Sequence, residues 1–264
     1  MIVKNIISSC WQATPGQLTE AGNRLVAILG GAPAGTGVFF RADDVGVPSE
    51  KCRLMMASFV RHEVPLHMAV TPAWLTSSRW STLRGWGGDR DLWCWHQHGW
   101  RHVNHQQSGK KSEFGTDRTE VAKGDDLAKG RARLEMIMGD DFRPVFTPPW
   151  NRFDRQAGEI LLRHGYRVVS RSQGEAMKVP LPGGLPEMPI NVDLHTRGET
   201  DPAQGLAALL DECEQAVALG HIGFMLHHQR MNDAALAFLD AMLHTLSSSR
   251  SSPLSISFPR MDRL

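Results

Sequence analysis

Four of the twelve histidines fall within ten residues, in the run His96-Gln97-His98-Gly99-Trp100-Arg101-His102-Val103-Asn104-His105. Neutral imidazole is the commonest protein ligand for borderline metals such as zinc. His98 and His102 are four apart. On a helical turn that spacing brings two side chains to one face, with about 5–6 Å between their Cβ atoms, so that they can share one ion. A second polar pair, Asp43-Asp44, closes the apolar run Val38-Phe39-Phe40. One carboxylate, Asp44, with His98 and His102 makes an incomplete ligand set, which leaves a position for water as a catalytic site requires. The set suits Zn2+, with Co2+, Fe2+ or Ni2+ as alternatives on the same donors. Such a metal lowers the pKa of bound water toward roughly 7 and polarises a substrate carbonyl. Asp43 is placed to take the water's proton, and His227 is the candidate to protonate the leaving atom. The glutamate that follows the first histidine of a zincin is absent, because that position is Gly99.

These residues need elements to deliver them, and the apolar pattern supplies a series. A helix is expected over 14–30, begun at Thr14-Pro15. A strand runs over 38–45 into the aspartates, and a helix from Pro48-Ser49-Glu50 to about Glu63. Val64–Val70 reads as a strand, 72–83 as a short helix and Gly85–Gly88 as a turn. Leu92–Trp95 reads as the buried strand ahead of the histidines. Residues 106–116 read as loop and 117–138 as helix, with Gly139 as its stop. The strand 142–147 ends in Pro148-Pro149-Trp150-Asn151. A helix over 153–164, a strand over 166–170 and a Gly- and Pro-rich loop over 171–186 follow. The strand 190–195 carries Asp193, and a helix covers 202–219. The strand 222–226 runs into His227-His228. A last helix spans 232–247, followed by serines and an apolar run at 254–258. Strand and helix alternate, as in parallel βα units. The polar clusters fall at strand C-termini, where βα loops converge in α/β barrels. The expectation is a single α/β barrel domain over 1–264, with 1–36 as an N-terminal helical extension packed on it.

Composition narrows the function. The chain has 264 residues and a formal net charge of +1, with no basic block that would mark a nucleic-acid surface. Its four cysteines form no CxxC pair, which points to reduced thiols. Residues 1–10 lack the apolar core of a signal peptide, and no apolar segment reaches the length of a membrane span. A cytoplasmic protein with no membrane span is expected. Oligomeric state is not legible.

Four segments, Phe40-Arg41-Ala42-Asp43-Asp44, His98-Gly99-Trp100-Arg101-His102, Thr147-Pro148-Pro149-Trp150 and Phe224-Met225-Leu226-His227-His228, resemble the motifs of the NodB-type polysaccharide deacetylases in order and rough spacing. The resemblance covers about residues 38–228. It implies a distorted (β/α)7 barrel and a metal-dependent hydrolase that removes acetyl groups from an N-acetylated sugar or small glycan precursor. Carried over, Asp43 is the general base and His227 the general acid. Asp44, His98 and His102 hold the metal. Trp150 lends its backbone N–H to the oxyanion, a donor of a kind worth about 2.7–4 kcal/mol. Asn151, Arg152, Asp193, Trp100 and His228 are the remaining candidates for oxyanion or substrate binding, with Trp100 able to stack on a sugar ring. The sequence departs from the family in two places. Gly99 stands where Ser or Thr is usual, and Phe146-Thr147 stand where the third motif usually opens with arginine, a role open to Arg152. Two other readings are a catalytically inactive carbohydrate-binding member of the fold and an amidohydrolase acting on a non-sugar amide. The substrate expected is a small molecule or oligosaccharide.

Overall fold

Alternation along one strand sets the architecture. In β1 (Gly37–Val45), Val38, Phe40 and Ala42 join the main apolar core beneath the helices, while Phe39 clusters with Ile190 and Met225 on the other face. Successive side chains on a strand point to opposite faces, so Arg41 and Asp43 share the face of Phe39. Burial on both faces is the mark of a parallel strand covered by helices. The computed structural model describes residues 6–88, 91–248 and 255–256.

The other strands are β2 (Leu66–Val70), β3 (Trp93–His98), β4 (Phe142–Thr147), β5 (Val168–Val169), β6 (Val192–Asp193) and β7 (His221–Leu226). They pair in the order β5-β4-β3-β2-β1-β7-β6, every pair parallel. The sheet curls into the seven-stranded (β/α) barrel expected from the sequence. Its seam lies between β5 and β6, where the isolated bridges Val169–Glu187 and Ser172–Ile190 lead the chain across. A final strand, β8 (Ser255–Ile256), pairs with the start of β1. The rest of the expected C-terminal apolar run, the serines at 249–252 and residues 1–5 lie outside the described residues.

The helices are α1 (Pro15–Gly30), α2 (Glu50–His62), α3 (Ser77–Gly87), α4 (Glu120–Met138), α5 (Arg155–Arg163), α6 (Gln173–Ala176), α7 (Pro202–Ala218) and α8 (Asp233–Ser248). Thr14 caps α1 in a reciprocal capping box with Gln17, which fixes its start at the expected proline. The N-terminal 3-10 turn (Ser9–Gln12) and α1 pack on α7 and α8. Several expectations shift: the strand expected at 190–195 is regular only at Val192–Asp193, and the turn expected at Gly85–Gly88 falls at the end of α3. The helix expected at 72–83 is a 3-10 turn, Pro72–Trp74, followed by α3. The strand expected at 166–170 is regular only at 168–169, with single bonds from Arg167 N–H to the Pro144 carbonyl and from Ser170 N–H to the Phe146 carbonyl at its ends. The loop expected at 171–186 contains α6. Phe40 and Phe224, partners in register, stack at 5.0 Å between centroids. Such a pair is worth about 0.5–1.5 kcal/mol beyond its area, and here it locks together the strands that end in Asp43-Asp44 and His227.

Candidate metal centre and active site

The site opens at the C-terminal ends of β1, β3, β4 and β7. Adjacent strand residues ought to point apart, yet Asp43 and Asp44 both line one cavity. The reason is local: Asp44 takes a left-handed backbone (φ 59°), and the β1–β2 register breaks between Ala42 and Val45. Aspartate tolerates that conformation better than most residues. Gln229 donates from Nε2 to the Asp44 carbonyl oxygen at 2.6 Å and pins the kink. Four of the five described non-glycine residues with positive φ lie at this site: Asp44, His102, Trp150 and Asn151. Strained backbone of this kind costs on the order of 1–3 kcal/mol each and gathers where function requires it.

His98 is buried at the end of β3. Its Nδ1 lies 3.0 Å from the Thr147 carbonyl, which can only accept, so Nδ1 carries the hydrogen and Nε2 presents its lone pair. That Nε2 faces Asp44 Oδ1 at 3.2 Å, and His102 Nε2 faces the same oxygen at 3.1 Å. Asp44 Oδ1 is buried and has no hydrogen-bond partner. Three donor atoms within 4.8 Å of one another, converging on an orphaned carboxylate oxygen, fit a divalent cation. Burial pushes Asp44 up, but the close approach of His98 and the charges of His102, His227 and His98 outweigh it and hold the carboxyl well below its usual range. Burial pushes His102 down to about 4. For His98, burial also pushes down, but the close Asp44 carboxylate and the charges of both aspartates offset it and leave a net rise. An ionised carboxylate with neutral imidazole at His102 is the form in which such groups bind metal.

The spacing of His98 and His102 suggested a helical turn; the structure has none. Residues 99–102 form an irregular loop, and His102 itself is left-handed. Glu113 holds that loop. It is fully buried and accepts the N–H groups of Trp100 (3.1 Å) and Arg101 (2.8 Å). Gly99, at φ 59°, leaves room for it: a Cβ there would sit 2.2 Å from Glu113 Oε2 and 2.5 Å from Pro149 Cγ. The glycine in place of Ser or Thr is therefore matched by a buried acid eleven residues beyond His102. Groups that orient metal ligands are typically worth 10–100-fold in metal affinity. Glu113→Gln is expected to weaken zinc binding by about that factor, because its amide NH2 would face a backbone N–H. A competition titration with a chromophoric chelator measures this, and unchanged affinity would remove Glu113 from the centre.

Asp43 is held by Arg41, two residues earlier on the same face. Arg41 Nε and one terminal nitrogen donate to its two carboxylate oxygens at 2.8 and 2.9 Å, and both side chains are buried. Arg41 also donates to Asn151 Oδ1 at 2.7 Å and to Ser170 Oγ at 2.8 Å. Burial raises Asp43, but Arg41 foremost, then His98 and His227, bring it below its usual value. The arginine that pairs with Asp43 thus stands on β1. Arg152 lies elsewhere on the cavity wall, paired with Glu175 at 3.2 Å.

His227 follows β7 with Nε2 3.9 Å from Asp44 Oδ2, and its Nδ1 is buried without a partner. Its backbone N–H donates to His195 Nδ1 at 3.2 Å. The Trp150 indole lies against His102, with ring centroids 4.3 Å apart. Asp193 lines the cavity, but its carboxylate caps its own loop, accepting the N–H groups of His195 and Thr196, both at 2.9 Å. Two expected residues are not on the cavity wall. Trp100 packs against the Phe114–Phe146 cluster, away from a stacking position, and His228 turns inward and is 1% exposed. Arg41, Glu113, Gln229 and Trp74, which lines the cavity, were not expected, whereas His195 belongs to Asp193-Leu194-His195, the best candidate in the sequence for the family's remaining motif. Of those four, Arg41 alone carried a signal, since period two puts it on the face of Asp43. A second grouping, His67, Cys94 and His96, lies inside the barrel. Both ring nitrogens of His96 are already engaged there, at 3.0 Å from the Cys94 carbonyl and 2.9 Å from Thr147 Oγ1.

No protein-family model and no curated protein matches the chain. Solved structures do. A protein from Mycobacterium smegmatis designated a polysaccharide deacetylase aligns at a TM-score of 0.64 and 13% identity, over 86% of this chain and 88% of that one. A family 4 carbohydrate esterase from Streptomyces lividans, in complex with acetate, aligns at 0.50 and 14%, over 86% and 93%. A Bacillus anthracis pseudoenzyme of the same esterase family aligns at 0.42 and 13%, over 74% and 65%. The chain has the fold of the polysaccharide deacetylase structures. Among the described residues no helix is long and apolar enough to cross a membrane.

Proposed function

We propose that the chain is a metal-dependent hydrolase that removes an acetyl group from an N-acetylated sugar or small glycan precursor. The observation that carries this reading is the orphaned Asp44 oxygen facing two histidine nitrogens, beside an Arg41-held aspartate and within reach of His227. Asp44, His98 and His102 would hold the metal, which when bound supplies the charge that polarises the acetamide carbonyl and acidifies water. Asp43, kept ionised by Arg41, accepts the proton of the attacking water. Trp150 steadies the oxyanion through its backbone N–H. His227 gives its proton to the departing amine. A pure binder needs neither the held base nor the acid, and this favours the catalytic reading over the inactive one.

The test is acetate release from N-acetylated sugars by zinc- or cobalt-loaded protein, with metal content measured alongside. About one metal per chain and turnover on sugar acetamides but not on simple amides is expected. Stoichiometric metal with no acetate from any sugar would move the function to the binding reading. His227→Gln is expected to keep the metal and slow release by about 10²–10⁴-fold. Loss of metal in that variant would make His227 a ligand instead.

A further inference from the structure

Three cations on the cavity wall stand without a carboxylate partner among the described residues. The site opens into a cleft of about 1370 Å³, larger than the roughly 300–1,000 Å³ of a drug-sized pocket. Each of the five carboxylates on its wall faces a group of the protein. Asp43 is held by Arg41, Asp44 faces the histidines, Asp193 caps its loop, and Glu212 takes Arg197 at 2.9 Å. Glu175 is shared by Arg152, Lys110 and Lys178, at 3.2, 3.4 and 3.1 Å. Three of the four lysines and arginines on the wall are not so engaged. Arg101, Lys111 and Arg230 have no carboxylate partner among the described residues. They flank the metal-ligand set from two elements. Arg101 lies between His98 and His102, the Lys111 ammonium sits 6.0 Å from the centre of the Trp150 ring that packs on His102, and Arg230 follows His227 by three residues. Guanidinium and ammonium groups whose charge is not taken up by a carboxylate are available to an anionic ligand in the cleft.

We propose that the substrate is an anionic glycan: the sugar bearing the acetamide, or its neighbour, carries a phosphate ester or a carboxylate that Arg101, Lys111 and Arg230 engage. This inference rests on the deacetylase reading for the acetamide and on the cations alone for the anion. A neutral acetamide asks nothing of three cations, whereas guanidinium and ammonium groups are the residues that recognise phosphate and carboxylate.

The test uses metal-loaded full-length protein and four probes: N-acetylglucosamine 1-phosphate, the disaccharide glucuronosyl-N-acetylglucosamine, neutral N,N′-diacetylchitobiose and inorganic phosphate. Binding is read by calorimetry and acetate release by a coupled assay. At least one anionic sugar is expected to bind about tenfold or more tighter than diacetylchitobiose, with the preference shrinking as salt rises. Preference for the phosphate or for the uronate probe identifies the source. In Arg101→Gln/Lys111→Gln/Arg230→Gln the ratio of anionic to neutral affinity should collapse toward one. These side chains lie on the cavity wall, and single substitutions serve if the triple variant folds poorly. Equal affinity for anionic and neutral sugars overturns the proposal, as does a preference that survives the triple variant or is matched by inorganic phosphate alone, since the metal would then be the anion's partner. Anion binding without acetate release would sink the deacetylase reading and leave this one standing; acetate release at equal efficiency from neutral and charged sugars would do the reverse.

Discussion

Asp43→Asn is expected to lower turnover by about 10²–10⁴-fold while the protein keeps its metal, and Asp44→Ala is expected to lose the metal. The two residues are neighbours in sequence but differ in every contact. Asp44 Oδ1 stands 3.1–3.2 Å from two histidine nitrogens with no hydrogen-bond donor of its own. Asp43 spends both oxygens on Arg41, which keeps it an anion able to accept a proton and fixes the direction in which it can do so. Asparagine preserves the shape and removes the charge. It also leaves a buried guanidinium without its anion, an effect that typically costs 3–5 kcal/mol when one partner of a buried pair is removed. Here Asn151 and Ser170 still accept from Arg41, so the loss should fall at the low end. The melting temperature must therefore be read beside the rate. Near-normal turnover in a folded, metal-loaded Asp43→Asn protein would end its assignment as the base. Metal retained in Asp44→Ala at wild-type stoichiometry would end the proposed ligand set.

The parts of this site that were legible in sequence are those fixed by period and residue type. Alternation in Val38–Asp43 gave both faces of β1, and the βα rhythm gave a barrel with its polar residues at strand ends. What was hidden depends on backbone turns and on contacts distant in sequence. A left-handed Asp44 cannot be read from an Asp-Asp pair, and without it one of the two carboxylates would face the helices. The His98–His102 spacing suggested a helix because i,i+4 residues share a helical face; the actual proximity comes from a loop drawn in by Glu113. Trp100 and His228 sit within the motif-like segments, yet the turns after β3 and β7 rotate them inward. Only Arg41 was in plain view, two residues from the aspartate it holds.

The second large effect is on stability in acid. The barrel encloses histidines that must be neutral to be folded. Burial pushes His67 and His96 down to about 3 and His228 to about 4, each from an ordinary 6.5. Burial first, then the neighbouring His227, His228 and Arg230, drives His195 well below that value too. Each of these groups binds its proton less tightly in the folded chain than in the unfolded one. Between the folded value and 6.5 the unfolded chain therefore carries more protons, and stability rises with pH across that window. The contribution is complete above about 6.5 and drains as pH falls toward about 3. A fall of three units in one buried histidine corresponds to roughly 4 kcal/mol at most, against about 5–15 kcal/mol for a whole domain. Two or three such groups are enough to unfold the chain. Denaturant unfolding with the metal removed, so that loss of ligands does not contribute, is expected to show stability already falling between pH 6 and 5 and the native state lost near pH ~4. His67→Gln should make that slope shallower, since one of the groups that must charge is gone. A protein equally stable at pH 7 and pH 4 would mean that these imidazoles find water or a counter-charge on protonation, and that the barrel interior is less dry than its packing implies.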